Sequence, residues 1–486
     1  MQKKFFTNLI LVLVLNALVK PFYILGIDAE ILKQAEISSP GSYGEYFSLL
    51  GFTFILNIFL DLGIINYNTR NIAQNSQLLK KHFSSIISLR ALLSVGYMLL
   101  IFIVGYFIGY SEHQFEILAI LGVNQILVAF IFYFRSNLAG LLLFKQDSFI
   151  SVLDRFLLII ICSILLWGGV TKQPFKIEWF IYAQTFAYAI TALISGYLVL
   201  RKTGKIKITL NTRFSWIIVK KSIPFAILIL LTMTSYKTDS IMLERMLPNG
   251  ATESAIYARG YRFFEAFNMV GYLFAGLLLP IFASLLKKKE DVSDILVLAF
   301  KLILTFSISV GVLSFFFQEE IMAWRFEIQG ADLLQASRAF GMLMISFIFM
   351  CVTYIFGTLL TANGNLRALN IVALLAVALN ILLNFLVIPE HGAYGASITS
   401  LITQLLTSIF QIFLVFKIIK IKLVGQKIAS ILSYSIAVVV LGYCAQQFDF
   451  NWALKYSVGI IIAGGFAFLL GMISVNKIRI ILKSKE

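Results

Sequence analysis

Apolar runs of about 20 residues recur from end to end of the 486-residue chain, separated by short polar segments that carry its charge, most of its prolines and its turn glycines. A run of that length crosses a hydrocarbon core of about 30 Å when helical, at about 1.5 Å per residue. Fourteen such spans can be drawn, at 5–26, 42–66, 84–110, 117–143, 153–171, 178–200, 223–247, 255–285, 294–317, 337–361, 366–388, 394–416, 428–446 and 454–476. No connecting segment is long enough for a soluble catalytic domain, so any chemistry has to happen within the membrane. The first span follows Lys3 and Lys4 but is followed by no small-residue cleavage site, and reads as a retained helix.

Composition agrees: 59% of residues are hydrophobic and only 13% charged, which excludes an ordinary soluble globule. Lys and Arg concentrate in alternate loops, including RKTGKIK at 201–207, KKK at 287–289 and the C-terminal tail. Cytoplasmic loops hold the positive excess, so both termini are expected inside. These loops absorb most of the net charge of +16, and no basic patch falls on a soluble domain that would bind nucleic acid. Cys162, Cys351 and Cys444 lie in apolar spans without partner spacing and read as core filler, with no disulfide framework and no metal site. No phosphate-binding Gly-rich loop occurs, so no cofactor is expected.

A weak internal repeat appears at an offset near 211 residues. SYGEYFSLLGFTFILNIF from Ser42 aligns with TESAIYARGYRFFEAFNMV from Thr252, setting Tyr46 on Tyr257 and Asn57 on Asn268. Each segment opens an inward-going span, the second and the eighth. The expected organisation is therefore two six-span lobes of like topology around a central cavity, at 1–215 and 216–420, followed by a terminal pair at 421–486. Pro21 and Pro280 fall inside spans and are candidate hinges.

Ionisable residues inside spans cost at least a few kcal/mol each and should face partners or water. The spans hold Lys20, Arg90, Arg135, Lys237, Arg245, Arg259, Arg262, Lys301 and Arg338 against Asp61, Asp154, Asp239, Glu244 and Glu265. A basic surplus suits an anionic cargo, and guanidinium groups match phosphate oxygens. Lys20, Arg90, Arg245 and Lys301 lie near span ends, where snorkelling is the plain reading. Arg135, Asp154 and Arg155 read as the frame of an inner loop around FKQD. Arg259, Arg262 and Glu265, spaced by three, share one face of the eighth span. Asp239 lies at their depth on the antiparallel seventh span, which makes it a candidate partner for those arginines. Lys237 points to a different face, toward the cavity or Glu244.

SPGSYGEYFSLLGFTFILNIFLDLGIINYNTRNIA (39–73), TDSIMLERM leading into SAIYARGYRFFE, LTANGNLRALN (360–370) and HGAYGASITSLITQ (391–404) occur in this order. They resemble the Wzx-type polysaccharide flippases of the multidrug/oligosaccharidyl-lipid/polysaccharide exporter superfamily. The resemblance implies an all-α integral membrane fold of fourteen helices. It also implies transport, not enzymatic catalysis: undecaprenyl-pyrophosphate-linked oligosaccharide is flipped by alternating access from the cytoplasmic to the outer leaflet of a bacterial inner membrane. Such transport serves O-antigen, capsule or exopolysaccharide synthesis. It maps Asp239, the Arg259 and Arg262 stripe, Asp61, Gly63 and Arg70 onto family positions. Arg259, Arg262, Lys237 and Arg70 are then candidates for holding the pyrophosphate, and Asp239, Glu265 and Asp61 for coupling to H+ or Na+. Membrane lipids, a polysaccharide polymerase and a chain-length regulator are candidate partners. The alternatives are a drug or cation antiporter of the same superfamily, which calls for a mainly acidic cavity, and an integral-membrane polymerase or ligase, which calls for a larger outside loop. The first outside loop departs from the family in its charged segment IDAEILKQAE, and Ala255 stands where the family has Gly.

Overall fold

The computed structural model describes residues 16, 18–62, 64, 65, 68, 72, 77–141, 143–170, 173–203, 212–419 and 425–473. Among the described residues every regular element is helical, and twelve helices are long and apolar enough to cross a membrane. One of the twelve, Leu366–Ile419, is a pair: 54 residues would reach about 80 Å as a single rod, and Gly392 at φ 51° and ψ −133° breaks it. The spans expected at 366–388 and 394–416 are therefore both present, joined by a turn far tighter than a loop. The expected span at 5–26 lies mostly outside the described residues, and its described part is helical from residue 18. Large side chains such as Leu193 and Ile461, 74% and 72% exposed, clothe the outer surfaces. Apolar groups so exposed match acyl chains, as the multi-pass reading requires.

Chain contacts divide the molecule into two compact units, Met1–Ala258 and Arg259–Glu486. In the first, a π-helical turn at Tyr23–Asp28 runs into α1 (Ala29–Ser38), then α2 (Ser42–Leu56), a short α3 (Ile58–Asp61), α4 (Gln77–Ile108), α5 (Glu112–Gly140), α6 (Phe144–Trp167), α7 (Ile177–Thr203) and α8 (Thr212–Met246). The long α9 (Gly250–Lys288) begins in the first unit and continues into the second. There it is followed by α10 (Ser293–Phe316), α11 (Gln318–Phe326), α12 (Gly330–Ala362), the α13 pair (Leu366–Ile419), α14 (Gly425–Gln446) and α15 (Trp452–Leu469).

Three sequence expectations need correction. IDAEILKQAE is not a solvent-facing loop but π-turn and helix, with Asp28, Ile31, Leu32 and Glu36 buried. Its acids serve the next helix: Glu36 accepts from the backbone N–H groups of Gly41 (2.8 Å) and Tyr43 (2.9 Å), which start α2, and Asp28 accepts from the Tyr43 hydroxyl at 2.8 Å. A carboxylate at a helix N-terminus satisfies orphan donors and opposes the positive end of the dipole. The fifth span begins nine residues earlier than expected, at Phe144, because its first turn is polar (KQDS) and hides the start. Arg155 is thus not loop framing but lies well inside α6. Cys444 is exposed rather than core, unlike the buried Cys162 and Cys351.

Beyond Pro21 the helix widens into the π-turn Tyr23–Asp28, an added residue in the ladder at the position read as a hinge. At Pro280 the backbone stays helical within α9. The LTANGNLRALN loop ends α12 in a Schellman turn: Gly364 at φ 83° donates to Thr361 O (3.0 Å) and Asn365 to Leu360 O (2.9 Å). The terminal pair packs on α10 through Tyr434 to Ser309 (2.6 Å) and Tyr456 to Ser314 (3.1 Å).

Candidate functional site

In the first unit, α8 carries Lys237 and Asp239 on separate faces. Asp239 is 1% exposed and accepts a hydrogen bond from the Tyr257 hydroxyl on α9 at 2.9 Å. The tight turn at Leu247–Asn249 makes this possible, and it requires glycine next: a Cβ on Gly250 would run into the Leu243 and Glu244 carbonyls. Lys237 turns to α2, with its ammonium 5.7 Å from the Phe47 ring centroid and 5.5 Å from that of Phe54, a placement that stabilises a cation with π-density. Glu244 bonds Gln114 on α5 (2.9 Å) and lies 3.6 Å from Arg245. It is not the partner of Lys237 that the helical spacing suggested.

Arg245 does not snorkel to headgroups. It donates to the Ile108 (2.7 Å) and Gly109 (3.0 Å) carbonyls at the end of α4 and lies over Tyr110, neutralising the negative end of that helix. Arg90 does not snorkel either: it is 1% exposed, ion-paired with Asp61, and donates to the Ala129 carbonyl at 2.9 Å, over the Tyr133 ring. Asp61 closes α3, just after α2 breaks at Asn57 and before Leu62 turns left-handed at φ 45°. Arg70 and Gly63, mapped from the same stretch, lie outside the described residues.

In the second unit Arg259 and Arg262 are 7% and 5% exposed. Arg262 pairs with Glu265 one turn on, at 2.7 Å, so the three-residue spacing that put them on one face also gives them a charge-assisted bond. Lys301 bonds Ser430 and the Gly471 carbonyl, both at 2.8 Å, which ties the terminal pair to α10 rather than reaching for headgroups. Among the described residues no group of three or more His, Cys, Asp or Glu is placed to hold a metal ion.

Two residues gain importance that the sequence reading did not give them. Tyr257 figured only as the repeat mate of Tyr46, yet it bonds Asp239; the signal available was its place about two turns beyond the hairpin, at the depth of Asp239. Arg155 lies 4.8 Å from the Tyr23 ring centroid and 5.8 Å from that of Tyr188, donating to the Tyr188 hydroxyl at 3.1 Å.

The family described as polysaccharide biosynthesis protein matches residues 34–286. No curated protein matches the chain. Among solved structures, the chain is similar to lipid II flippase MurJ in an inward closed conformation, at 16% identity and a TM-score of 0.75, over 95% of this chain and 98% of that one. It is also similar to an inward-facing multidrug resistance transporter of the MATE family and MOP superfamily (14% identity, TM-score 0.64, 84% and 97% covered). The Vibrio cholerae MATE transporter VcmN, in its bent form, matches at 16% identity and a TM-score of 0.53, over 85% and 96%. At these identities the likeness establishes the fold of MOP-superfamily transporters. With more than half of its residues matched to the family, the chain belongs to the polysaccharide biosynthesis protein family.

Proposed function

We propose that this protein is a flippase, not an enzyme, which carries undecaprenyl-pyrophosphate-linked oligosaccharide from the cytoplasmic to the outer leaflet of a bacterial inner membrane by alternating access. The observation that carries the reading is the pair Arg259 and Arg262, buried on one face of a membrane helix in a polysaccharide biosynthesis chain. A diphosphate with several sugars cannot cross hydrocarbon unaided, because its charges and hydroxyls would lose their hydration. Buried guanidinium groups lower that barrier by offering planar donor pairs to phosphate oxygens. Arg259, Arg262, Lys237 and Arg70 hold the pyrophosphate, while Asp239, Glu265 and Asp61 exchange H+ or Na+ to reset the carrier. The fold shared with a protein named as a lipid II flippase supports this reading. A cation antiporter of the same fold, as the MATE likeness would suggest, is disfavoured by the basic surplus within the spans. The product serves O-antigen, capsule or exopolysaccharide synthesis, with a polymerase and a chain-length regulator downstream.

Two substitutions test it. Arg262→Ala removes the guanidinium, and Asp239→Asn keeps the acceptor for Tyr257 while removing the charge. Each is expected to abolish surface polysaccharide with membrane protein levels unchanged. Polysaccharide that survives both substitutions overturns the assignment.

A further inference from the structure

A second cationic cluster, wholly within the first unit, is absorbed neither by the flippase residues named above nor by the packing. It centres on Arg155. Its guanidinium lies 4.8 Å from the Tyr23 ring centroid and 5.8 Å from that of Tyr188, and donates one hydrogen bond, from Nη1 to the Tyr188 hydroxyl. The one carboxylate beside it among the described residues, that of Asp154, stands 3.7 Å from Nε, too far for a hydrogen bond. A guanidinium has five N–H donors, so most of those of Arg155 have no acceptor among the described residues, and none of its nitrogens is sealed from solvent without a partner.

Two further cations converge on it. The helix of the first span is fixed against α6 by a 3.1 Å bond from Asn16 to Ser151; one turn on, Lys20 comes within electrostatic reach of Arg155, Asp154 and Arg135. Arg135 donates its Nε to Asp147 at 2.8 Å, and its two terminal nitrogens make no hydrogen bond among the described residues. Three cations thus face two carboxylates, and Asp154 already accepts from the Arg155 backbone N–H at 2.8 Å. Depth matters as much as charge. Arg155 lies eleven residues into α6, about 16 Å along a helix that spans a core of about 30 Å. Resident headgroups do not sit at half depth, and cations with open donors there require water or an anion.

We propose that Arg155, Lys20 and Arg135 form a phosphate-binding station at the middle of the first unit, with the tyrosine-clamped guanidinium of Arg155 as its fixed fork and Lys20 as its mobile charge. Two ring contacts and the bond to the Tyr188 hydroxyl restrain the guanidinium, so less side-chain entropy is lost on binding. The inference rests on the flippase reading only for the source of the phosphate, a polyprenyl diphosphate in transit; an anionic phospholipid offers the same chemistry. The station shares no residue with Arg259 and Arg262, and would let a diphosphate be held at more than one point of its passage.

Full-length protein purified in detergent, titrated with undecaprenyl diphosphate, phosphatidylglycerol and phosphatidylcholine and read by native mass spectrometry, tests this. Wild type is expected to bind the diphosphate, Lys20→Gln to weaken it about tenfold, Arg155→Lys to weaken it similarly because charge without the fork is kept, and Arg155→Gln more. Lys20→Gln leaves the tyrosine clamp untouched, so it decides the matter should Arg155 variants fold poorly. Phosphatidylglycerol binding with the same sensitivity, and none of the diphosphate, upholds the phosphate station and assigns it to bilayer lipid. Diphosphate affinity unchanged in Lys20→Gln and in folded Arg155→Gln overturns the proposal. The flippase reading fails separately, through export that persists in Arg262→Ala and Asp239→Asn.

Discussion

Asp61 and Arg90 illustrate how a single pair of residues escapes a sequence reading. Both were visible as charges in spans, but Arg90 sits close enough to the start of the third span to pass for a snorkelling side chain. What buries it is the break of the second span at Asn57, which delivers Asp61 to it, and no local pattern announces that break. Arg90 is 2% and Asp61 17% exposed at the side chain. Removing one partner leaves the other charge buried, whereas replacing both with neutral groups of similar shape does not. Arg90→Met is therefore expected to destabilise the protein by about 3 kcal/mol, read as unfolding in detergent, and the double variant Asp61→Asn with Arg90→Met to recover most of that loss. Equal destabilisation by the single and double variants would mean that Arg90 acts through the Ala129 carbonyl and Tyr133 alone. By contrast, the shared face of Arg262 and Glu265 was legible, because positions three apart on one helix are neighbours whatever surrounds them, and the two pair there at 2.7 Å.

At the scale of elements, the repeat read at an offset near 211 residues reaches into the bonding pattern. Asn57, in the second span, donates to Gln125 in the fourth at 2.6 Å; its mate Asn268, in the eighth, donates to Tyr354 in the tenth at 3.1 Å. The third span packs on the fourth and the fourth on the sixth, as the ninth packs on the tenth and the tenth on the α13 pair, where Gln411 of the twelfth span lies against Gly357. Such equivalence survives divergence because helix pairing depends on which faces are small or apolar, not on particular side chains. Another pair of mates, Gly44 and Ala255, lies at a helix crossing: a Cβ on Gly44 would collide with the Ala251 carbonyl and come within 2.7 Å of the Ala255 backbone nitrogen. The departure noted at Ala255 is thus accommodated by glycine on the other side. Gly44→Ala is expected to cost roughly 1 to 3 kcal/mol by overpacking and to reduce export. Gly96→Ala on α4, where a Cβ meets nothing within 4 Å, should range from neutral to about 1 kcal/mol stabilising. Equal responses in thermal unfolding would show that α2 and α9 can separate without loss.

For the molecule as a whole, spans were legible because hydrocarbon thickness imposes one length on every helix, while their partners were not, since partner choice is a tertiary matter. Orientation belongs between these. The alternation of spans assigns the segments near residues 109, 172 and 249 to one side, and the first unit brings them together: Arg245 bonds the Ile108 and Gly109 carbonyls, and His113 lies 4.0 Å from Glu178. On the positive-inside rule that side is expected to be the outer one, because the alternation of spans assigns RKTGKIK and KKK to the opposite ends. Cysteine labelling of intact cells decides it. In a background with Cys162, Cys351 and Cys444 replaced, Glu112→Cys and Glu319→Cys are expected to react with a membrane-impermeant thiol reagent added outside, and Lys288→Cys only after the membrane is opened. All three side chains stand at exposed helix ends, so access, not burial, governs the outcome. Labelling of Lys288→Cys in intact cells, with Glu112→Cys and Glu319→Cys silent, would invert the orientation.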